Sequence, residues 1–252
     1  MANLVIELPR VSIVIPAYNE QAFVGTTINS ILETRFPCEV LVVDDGSTDR
    51  TSQILKEFEP RIRAIRHPVN LGKGAAMASG VRAAIGEIVV FCDAHLLGLK
   101  QYHLLSLVLP LVQGPVRAVL GVALAGPSAL PRVVMPILTG QRAYFRHDLE
   151  PLLDGMESLG YGVETFLFHR FPQHQTAVVL LPGLIHLLKP QLSSPTVAMK
   201  GYLRESVEIL GTVARLGGMM PGDGAKWKRQ VKISLSQHFR RSEVKSQPDT
   251  QP

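Results

Sequence analysis

Several short polar clusters interrupt an otherwise apolar chain, and each has residue types suited to holding a charged ligand. Asp93-Ala94-His95 follows an apolar run. A carboxylate and an imidazole at such a spacing can reach a divalent cation, and a hard cation bridging a diphosphate takes oxygen ligands with an occasional imidazole. The plainer alternative is a strand-ending Asp that caps the next turn. Asp44 and Asp45 precede Gly46-Ser47-Thr48-Asp49. Adjacent side chains at a strand end point in different directions, so one can face a pocket while the other builds an Asx-turn and a helix cap. Asn70-Leu71-Gly72-Lys73-Gly74 puts a lysine and two glycines before a helical pattern, which suits a phosphate at a helix N-terminus. It fails the Walker pattern, because Lys73 is followed by Gly74, and the dinucleotide fingerprint, because Met77 stands where the third glycine belongs. An ATPase or a nicotinamide enzyme is therefore disfavoured.

The elements that must carry these clusters alternate. Val11–Ile15, Glu39–Val43, Ile62–Ile65 and Ile88–Cys92 read as strands. Phe23–Leu32 has a helical apolar face in Phe23, Thr27, Ile28, Ile31 and Leu32. A second helix, capped by Ser47 or Asp49, carries Ile54, Leu55 and Phe58. Ala75–Ala84 is a small-residue helix. The expected fold class is α/β, a Rossmann-like, mostly parallel central sheet with helices on both faces. Ligands of such sheets gather beyond the carboxyl ends of the strands. Pro16–Glu20, Asp44–Asp49, Asn70–Lys73 and Asp93–His95 all fall on that rim. Beyond it, Tyr102–Val112, Asp148–Leu153, Val163–Arg170 and Met199–Leu216 read as helices. Arg117–Ala123 and Val178–Leu181 read as strands, and Val133–Arg142 as a strand with a Thr-Gly-Gln-Arg turn.

The chain has 252 residues, 46% apolar and 19% charged, enough for one large domain and too apolar for global disorder. Two cysteines, Cys38 and Cys92, build no disulfide scaffold. The first residues do not resemble a signal peptide, and no run reaches the ~20 apolar residues of a spanning helix. A cytoplasmic protein, or one attached peripherally to a membrane, is expected. Residues 226–252 hold seven Lys or Arg and two acids, so the whole net charge of +5 sits there and residues 1–225 sum to zero. Trp227, Val231, Leu235 and Phe239 recur every four residues among these bases. Such a helix suits an anionic lipid surface, or packs on the parent domain with its basic side in solvent. Nucleic acid is not an expected partner, since the main domain is neutral and lacks such motifs.

Val11–Glu20 (VSIVIPAYNE), Val42–Thr51 (VVDDGSTDRT), Asn70–Ala76 (NLGKGAA) and Val89–His95 (VVFCDAH) occur in an order and spacing that resemble the nucleotide-binding half of GT-A-fold glycosyltransferases of the family 2 type. The likeness covers residues 10–95 closely and about 130–190 more loosely. It implies a GT-A domain over 1–220, with a nucleotide-binding half at 10–98, an acceptor half at 99–220, and a basic helix and disordered tail at 221–252. It also implies a metal-dependent transfer of a sugar from a UDP- or GDP-linked donor to a small hydroxylated or phosphorylated acceptor, with Mg²⁺ or Mn²⁺ as cofactor.

Residue by residue, the resemblance places Pro16, Ala17, Tyr18 and Glu20 at the base and ribose, Asp45 at the base edge, and Gly72 and Lys73 beside the nucleoside and phosphate. Asp93, Ala94 and His95 fall at the D-x-D position, with His95 in place of the second aspartate. Gly140, within Thr139–Ala143, falls where relatives contact the donor sugar or acceptor. Gly160–Glu164 (GYGVE) is similar to a segment of glucosyl-3-phosphoglycerate synthases and related polyprenyl-phosphate transferases. His186 is similar to a late metal-ligand histidine of the former, so the implied metal set is Asp93, His95 and His186. Lys73 and Arg142 are candidates to offset charge on the leaving diphosphate. Glu164, with Asp148 in reserve, is the candidate base if the reaction inverts the anomeric centre. The alternatives are a polyprenyl-phosphate glycosyltransferase working peripherally at the cytoplasmic membrane face, and a non-catalytic nucleotide-binding relative. A sugar nucleotidyltransferase is disfavoured because Pro16–Glu20 is no G-x-G-x-R loop. The sugar, the oligomeric state (a homodimer included) and the stereochemical course stay open.

Overall fold

The computed structural model describes residues 8–125 and 139–187. The first four strands are β1 (Val11–Ala17), β2 (Cys38–Asp44), β3 (Arg63–Arg66) and β4 (Ile88–Phe91). Helices α1 (Val24–Glu33), α2 (Thr51–Phe58) and α3 (Lys73–Ala83) connect them. All three pairings among these strands are parallel. The chain then forms β5 (Leu96–Leu97), α4 (Gln101–Gln113), β6 (Ala118–Ala125) and β7 (Gln141–Phe145). Short helices α5 (Arg146–Leu149) and α6 (Leu153–Glu157), then α7 (Val163–Arg170) and β8 (Thr176–His186), complete it. The eight strands form one sheet in the order β3-β2-β1-β4-β7-β6-β8-β5.

Strand alternation sorts the core into two layers. Ile13, Ile15, Val42 and Val90 face a cluster with Ile28 and Ile31 of α1, Leu55 of α2 and Leu104 and Leu107 of α4. Val14, Leu41, Val89 and Phe91 face the opposite cluster with Met77 and Val81 of α3, Met156 of α6 and Val163 and Leu167 of α7. Helix α3 lies close to the sheet because Gly80 has no side chain: a Cβ there would sit 2.2 Å from Val14 Cγ1. The strand order reverses at β1, with β2 on one side and β4 on the other, and the polar clusters ring the carboxyl ends there.

Several expected boundaries move. Helix α3 begins at Lys73, so the lysine belongs to its first turn rather than to the preceding loop. The helix expected over Asp148–Leu153 is split into α5, a 3₁₀ turn at Glu150–Leu152 and α6, because Pro151 has no N–H to continue the ladder. The strand expected within Val133–Arg142, ahead of its Thr-Gly-Gln-Arg turn, falls on residues outside the described ones; of the expected turn, Gln141 and Arg142 belong to strand β7. Residues 126–138 lie outside the described ones. Strand β8 runs past Leu181 through Pro182-Gly183 to His186, and the register with β6 shifts between Ala123 and Ala125, the kind of irregularity where a strand tolerates proline. The expected helix Met199–Leu216 and the basic tail also lie outside the described residues.

Candidate functional site

Asp93 is the hub of the rim. Its Oδ1 accepts a hydrogen bond from Lys73 Nζ at 2.9 Å, and its Oδ2 accepts one from Gln141 Nε2 at 2.9 Å. His186 Nε2 lies 2.9 Å from the same Oδ2. Burial opposes charge on this carboxyl, yet Lys73, the His186 hydrogen bond and the two imidazoles hold its pKa well below the usual carboxylate range. Burial likewise opposes charge on Lys73, but the charges of Asp93 and Glu164 outweigh it and raise its pKa. Lys73 Nζ also donates to Glu164 Oε1 at 2.7 Å. One ammonium from the start of α3 thus joins carboxylates from the end of β4 and the first turn of α7.

His95 lies beside this hub. Its ring meets that of His186 edge-on at 4.4 Å, and its Nδ1 is 3.3 Å from Glu20 Oε1, close enough for ion pairing but off hydrogen-bond geometry. The turn carrying His95 is pinned by α1, whose Thr27 hydroxyl donates to Ala94 O and accepts from Leu96 N. β5 then pairs Leu96 with His186 across an antiparallel ladder. Asp93, His95 and His186 each offer a ligand atom, all within 4.8 Å of one another. That spread is slightly above the ~4.2 Å diameter of a first coordination shell with ~2.1 Å bonds, so the three groups need to draw together by about half an ångström to share one ion. One carboxylate oxygen and two imidazole nitrogens suit Mn²⁺ or another first-row ion, and Mg²⁺ less well. The residues present therefore fit a divalent cation.

Gly140 is a steric requirement of the same hub. A Cβ there would lie 2.2 Å from Asp93 Oδ2 and 2.3 Å from Oδ1. The next residue is Gln141, so the Thr139–Ala143 segment approaches Asp93 with both backbone and side chain.

The other expected residues divide between the rim and the rest of the fold. Arg142, expected beside a diphosphate, is fully buried on β7. Its Nε donates to Thr139 O at 2.7 Å, and its Nη1 to Glu164 O at 2.8 Å and weakly to the Tyr144 hydroxyl. It braces the backbone on both sides of the hub rather than entering the cleft. Asp148 is a plain correction. β7 runs antiparallel to β4, pairing Phe91 with Arg142 and Ile88 with Phe145. Asp148 therefore lies past the amino end of β4, on the opposite rim, where it pairs with Arg117. It does not join the site. Asp45, expected at a base edge, reaches across to the loop between β3 and α3: Oδ1 accepts from Leu71 N at 2.9 Å and lies 2.7 Å from His67 Nδ1, and Oδ2 accepts from Gly72 N at 2.7 Å. Asp44 caps the turn through Ser47 N and Ser52. Pro16 and Ala17 end β1, Tyr18 is 38% exposed, and Glu20 is buried with its backbone N–H on Thr51 Oγ1.

His67 joins the rim as well, though nothing in the sequence marks it. It bridges Asp45 and Ser79, with Nε2 2.9 Å from the Ser79 hydroxyl. A single histidine one residue past a short strand carries no local signal; only the fold brings it to Asp45. Gln141 was hidden inside a motif noted for its neighbours.

The comparisons with known proteins bear on the fold and the family. Among solved structures, glucosyl-3-phosphoglycerate synthase from Mycobacterium tuberculosis in complex with Mn²⁺, UDP and glucosyl-3-phosphoglycerate superposes with a TM-score of 0.64 at 26% identity, covering 85% of this chain and 82% of that one. The same enzyme with Mg²⁺ and UDP gives 0.64 and 26%, covering 85% and 81%. The sheet is thus that of GT-A glycosyltransferases. Curated relatives include the probable glycosyltransferase YdaM of Bacillus subtilis (strain 168), 36% identical over 97 residues, which are 35% of this chain and 23% of that protein. The undecaprenyl-phosphate 4-deoxy-4-formamido-L-arabinose transferase of Pectobacterium carotovorum subsp. carotovorum (strain PC1) is 34% identical over 98 residues, 36% of this chain and 30% of that protein. These matches span less than a third of the relatives' lengths. The model described as "Glycosyl transferase family 2" matches residues 12–208, most of the chain. On that match, the protein belongs to glycosyl transferase family 2.

Proposed function

We propose that the protein transfers a sugar from a UDP-sugar to a small phosphorylated acceptor, with a divalent cation held by Asp93, His95 and His186. The observation that carries this reading is the convergence of those three ligand atoms with Lys73 and Glu164 at the carboxyl rim of the sheet. The Mycobacterium tuberculosis neighbour was crystallised with Mn²⁺, UDP-glucose and phosphoglyceric acid, which supports the choice of donor and acceptor class.

A cation held there by Asp93, His95 and His186 would supply Lewis-acid stabilisation of the departing diphosphate. The chain's own residues do the rest. Lys73 adds a second positive charge at the leaving group. Gly140 lets the Thr139–Gln141 backbone close on Asp93, and Gln141 fixes the carboxylate's orientation. Arg142 acts as a positioning residue, holding the Glu164 and Thr139 carbonyls in one frame. Glu164 holds a hydroxyl of the sugar or, in a direct displacement, takes the proton of the acceptor hydroxyl as it attacks the anomeric carbon and the nucleoside diphosphate leaves. Asp45 and its loop line the nucleoside end.

The test is a titration with UDP, and with GDP as a contrast, in Mn²⁺, Mg²⁺ or EDTA, followed by turnover of UDP-glucose with 3-phosphoglycerate or glycerol 3-phosphate. Metal-dependent UDP binding that Asp93→Asn abolishes supports the reading. A folded protein that binds no nucleotide under any condition overturns it, and one that binds UDP but turns over no sugar favours the non-catalytic nucleotide-binding relative. Transfer to a polyprenyl phosphate is a second reading, favoured by relatives such as the dolichyl-phosphate beta-glucosyltransferase ALG5D of Trichomonas vaginalis (strain ATCC PRA-98 / G3), 35% identical over 96 residues, 33% of this chain and 29% of that protein. No helix among the described residues is long and apolar enough to cross a membrane. Transfer to polyprenyl phosphate in vesicles, without transfer to phosphorylated small molecules, would select it.

A further inference from the structure

Lys73 competes for the carboxylate on which the cation site depends. Asp93 Oδ2 already has two partners, Gln141 and His186, so Oδ1 is the oxygen with spare acceptor capacity. Lys73 Nζ sits on that oxygen at 2.9 Å, and both side chains are largely withdrawn from solvent, at 17% and 7% exposure. A divalent cation on the same oxygen would stand within ~4 Å of the ammonium, where two positive charges repel strongly at low dielectric. The ammonium has a second anchor in Glu164, 2.7 Å away, so leaving Asp93 does not strand it. It also projects from the first turn of α3, next to backbone N–H groups that favour a phosphate.

We infer that Lys73 is an exchangeable counter-ion of Asp93, drawn off by the diphosphate of the nucleotide, so that nucleotide and cation bind interdependently. This rests on the donor class proposed above. A diphosphate that attracts Lys73 leaves Asp93 Oδ1 to the cation, and a cation on Asp93 turns Lys73 toward the diphosphate. Linkage requires each ligand to tighten the other by the same factor, and such couplings commonly reach about 5- to 150-fold. Direct contact between cation and diphosphate contributes coupling too. The share owed to Lys73 is what its removal abolishes.

The experiment measures the Mn²⁺ Kd by calorimetry or electron paramagnetic resonance, without nucleotide and at saturating UDP, for the wild type, Lys73→Met and Lys73→Gln. The glutamine variant can still hydrogen-bond Asp93 and Glu164 without the charge, which guards against misfolding, and melting curves report the fold of both. The expected result is that the variants bind Mn²⁺ alone about ten-fold more tightly than the wild type, while the ratio of the two Kd values shrinks by a similar factor. An equal tightening with and without UDP would mean that Lys73 stays on Asp93 throughout, which overturns the exchange. Unchanged or weaker Mn²⁺ binding overturns the competition itself. If the folded wild type binds neither Mn²⁺ nor UDP, the donor reading fails first, and this inference falls with it.

Discussion

Replacing Gly140 by alanine tests the hub with the smallest possible change. The new Cβ would stand 2.2 Å from Asp93 Oδ2, 2.3 Å from Oδ1 and 2.4 Å from Cγ. Ordinary contact needs about 3.4 Å, so carboxylate and backbone must separate by about 1 Å. Neither side yields freely. Asp93 is held by Lys73, Gln141 and His186, and the Gly140 segment is held by Arg142 and by Thr139, whose hydroxyl donates to Gly121 O. A misplacement of that size at a reacting or ligating group costs about 100-fold, or about 2.7 kcal/mol. Overpacking should cost a further ~1–3 kcal/mol of stability. For a chain of this size that lowers Tm by roughly 2–12 °C. The assay is calorimetric titration of Mn²⁺ at saturating UDP, with a melting curve on the same sample. Mn²⁺ affinity within about two-fold of wild type, in a folded variant, would refute the claim that this glycine sets the position of Asp93.

Three further outcomes follow from the same geometry. Arg142→Leu leaves the Thr139 and Glu164 carbonyls without their guanidinium and should cost about 3 kcal/mol, read as a Tm drop of roughly 6–12 °C; an unchanged Tm would remove its bracing role. Asp148→Asn should lower stability by under about 2 kcal/mol, because its partner Arg117 is half exposed, and should leave Mn²⁺ and UDP affinity unchanged; a loss of either affinity would return Asp148 to the site. His103 accepts from Lys100 N through Nδ1 and donates to Pro182 O through Nε2, so its neutral form fits both, and burial, aided by Lys100, lowers its pKa despite the Pro182 contact. Its unfolded form takes up a proton first, so its contribution is intact above about pH 6.5 and is lost as pH falls through the folded pKa. His103→Gln should therefore flatten the fall of Tm from pH 7 to pH 5; an unaltered slope would count against it.

How far the site could be read from residues alone depended on where chain direction mattered. β1, β2 and β4 are apolar runs rich in β-branched residues, and each stops near polar residues, while β3 (Arg63–Arg66) is a partly exposed edge strand, so Asp93, Asp45, Lys73 and Glu20 could all be assigned to one rim. β7 breaks that logic. Its fully buried residues include Gln141, Arg142 and Tyr144, which hydropathy reads as a turn or a surface. Its antiparallel direction sends Asp148 to the far rim, and direction within a sheet has no signature in local composition. β5 has two residues, too few for any periodicity. Thr27 was assigned to the apolar face of α1, and there it is, but its hydroxyl also ties down the turn before His95. Arg142 shows the limit most clearly: an arginine near a suspected diphosphate invites a charge role, and only packing reveals that its fork holds main-chain carbonyls instead.

The brevity of β5 has a consequence for local opening. His95 and His186 come from the turn before β5 and the last residue of β8, at one edge of the sheet, joined by the Leu96–His186 and Leu97–Ile185 pairs and the Leu187 N–H on His95 O. Such an edge opens at lower free energy than the central β1–β4 ladder. The amide hydrogen of Leu187 should therefore exchange well before those of Ile13 or Val90. Any ligand that fastens the two histidines together closes that route, and the slowing of exchange at this amide then reports occupancy of the site, whatever sugar the protein proves to carry.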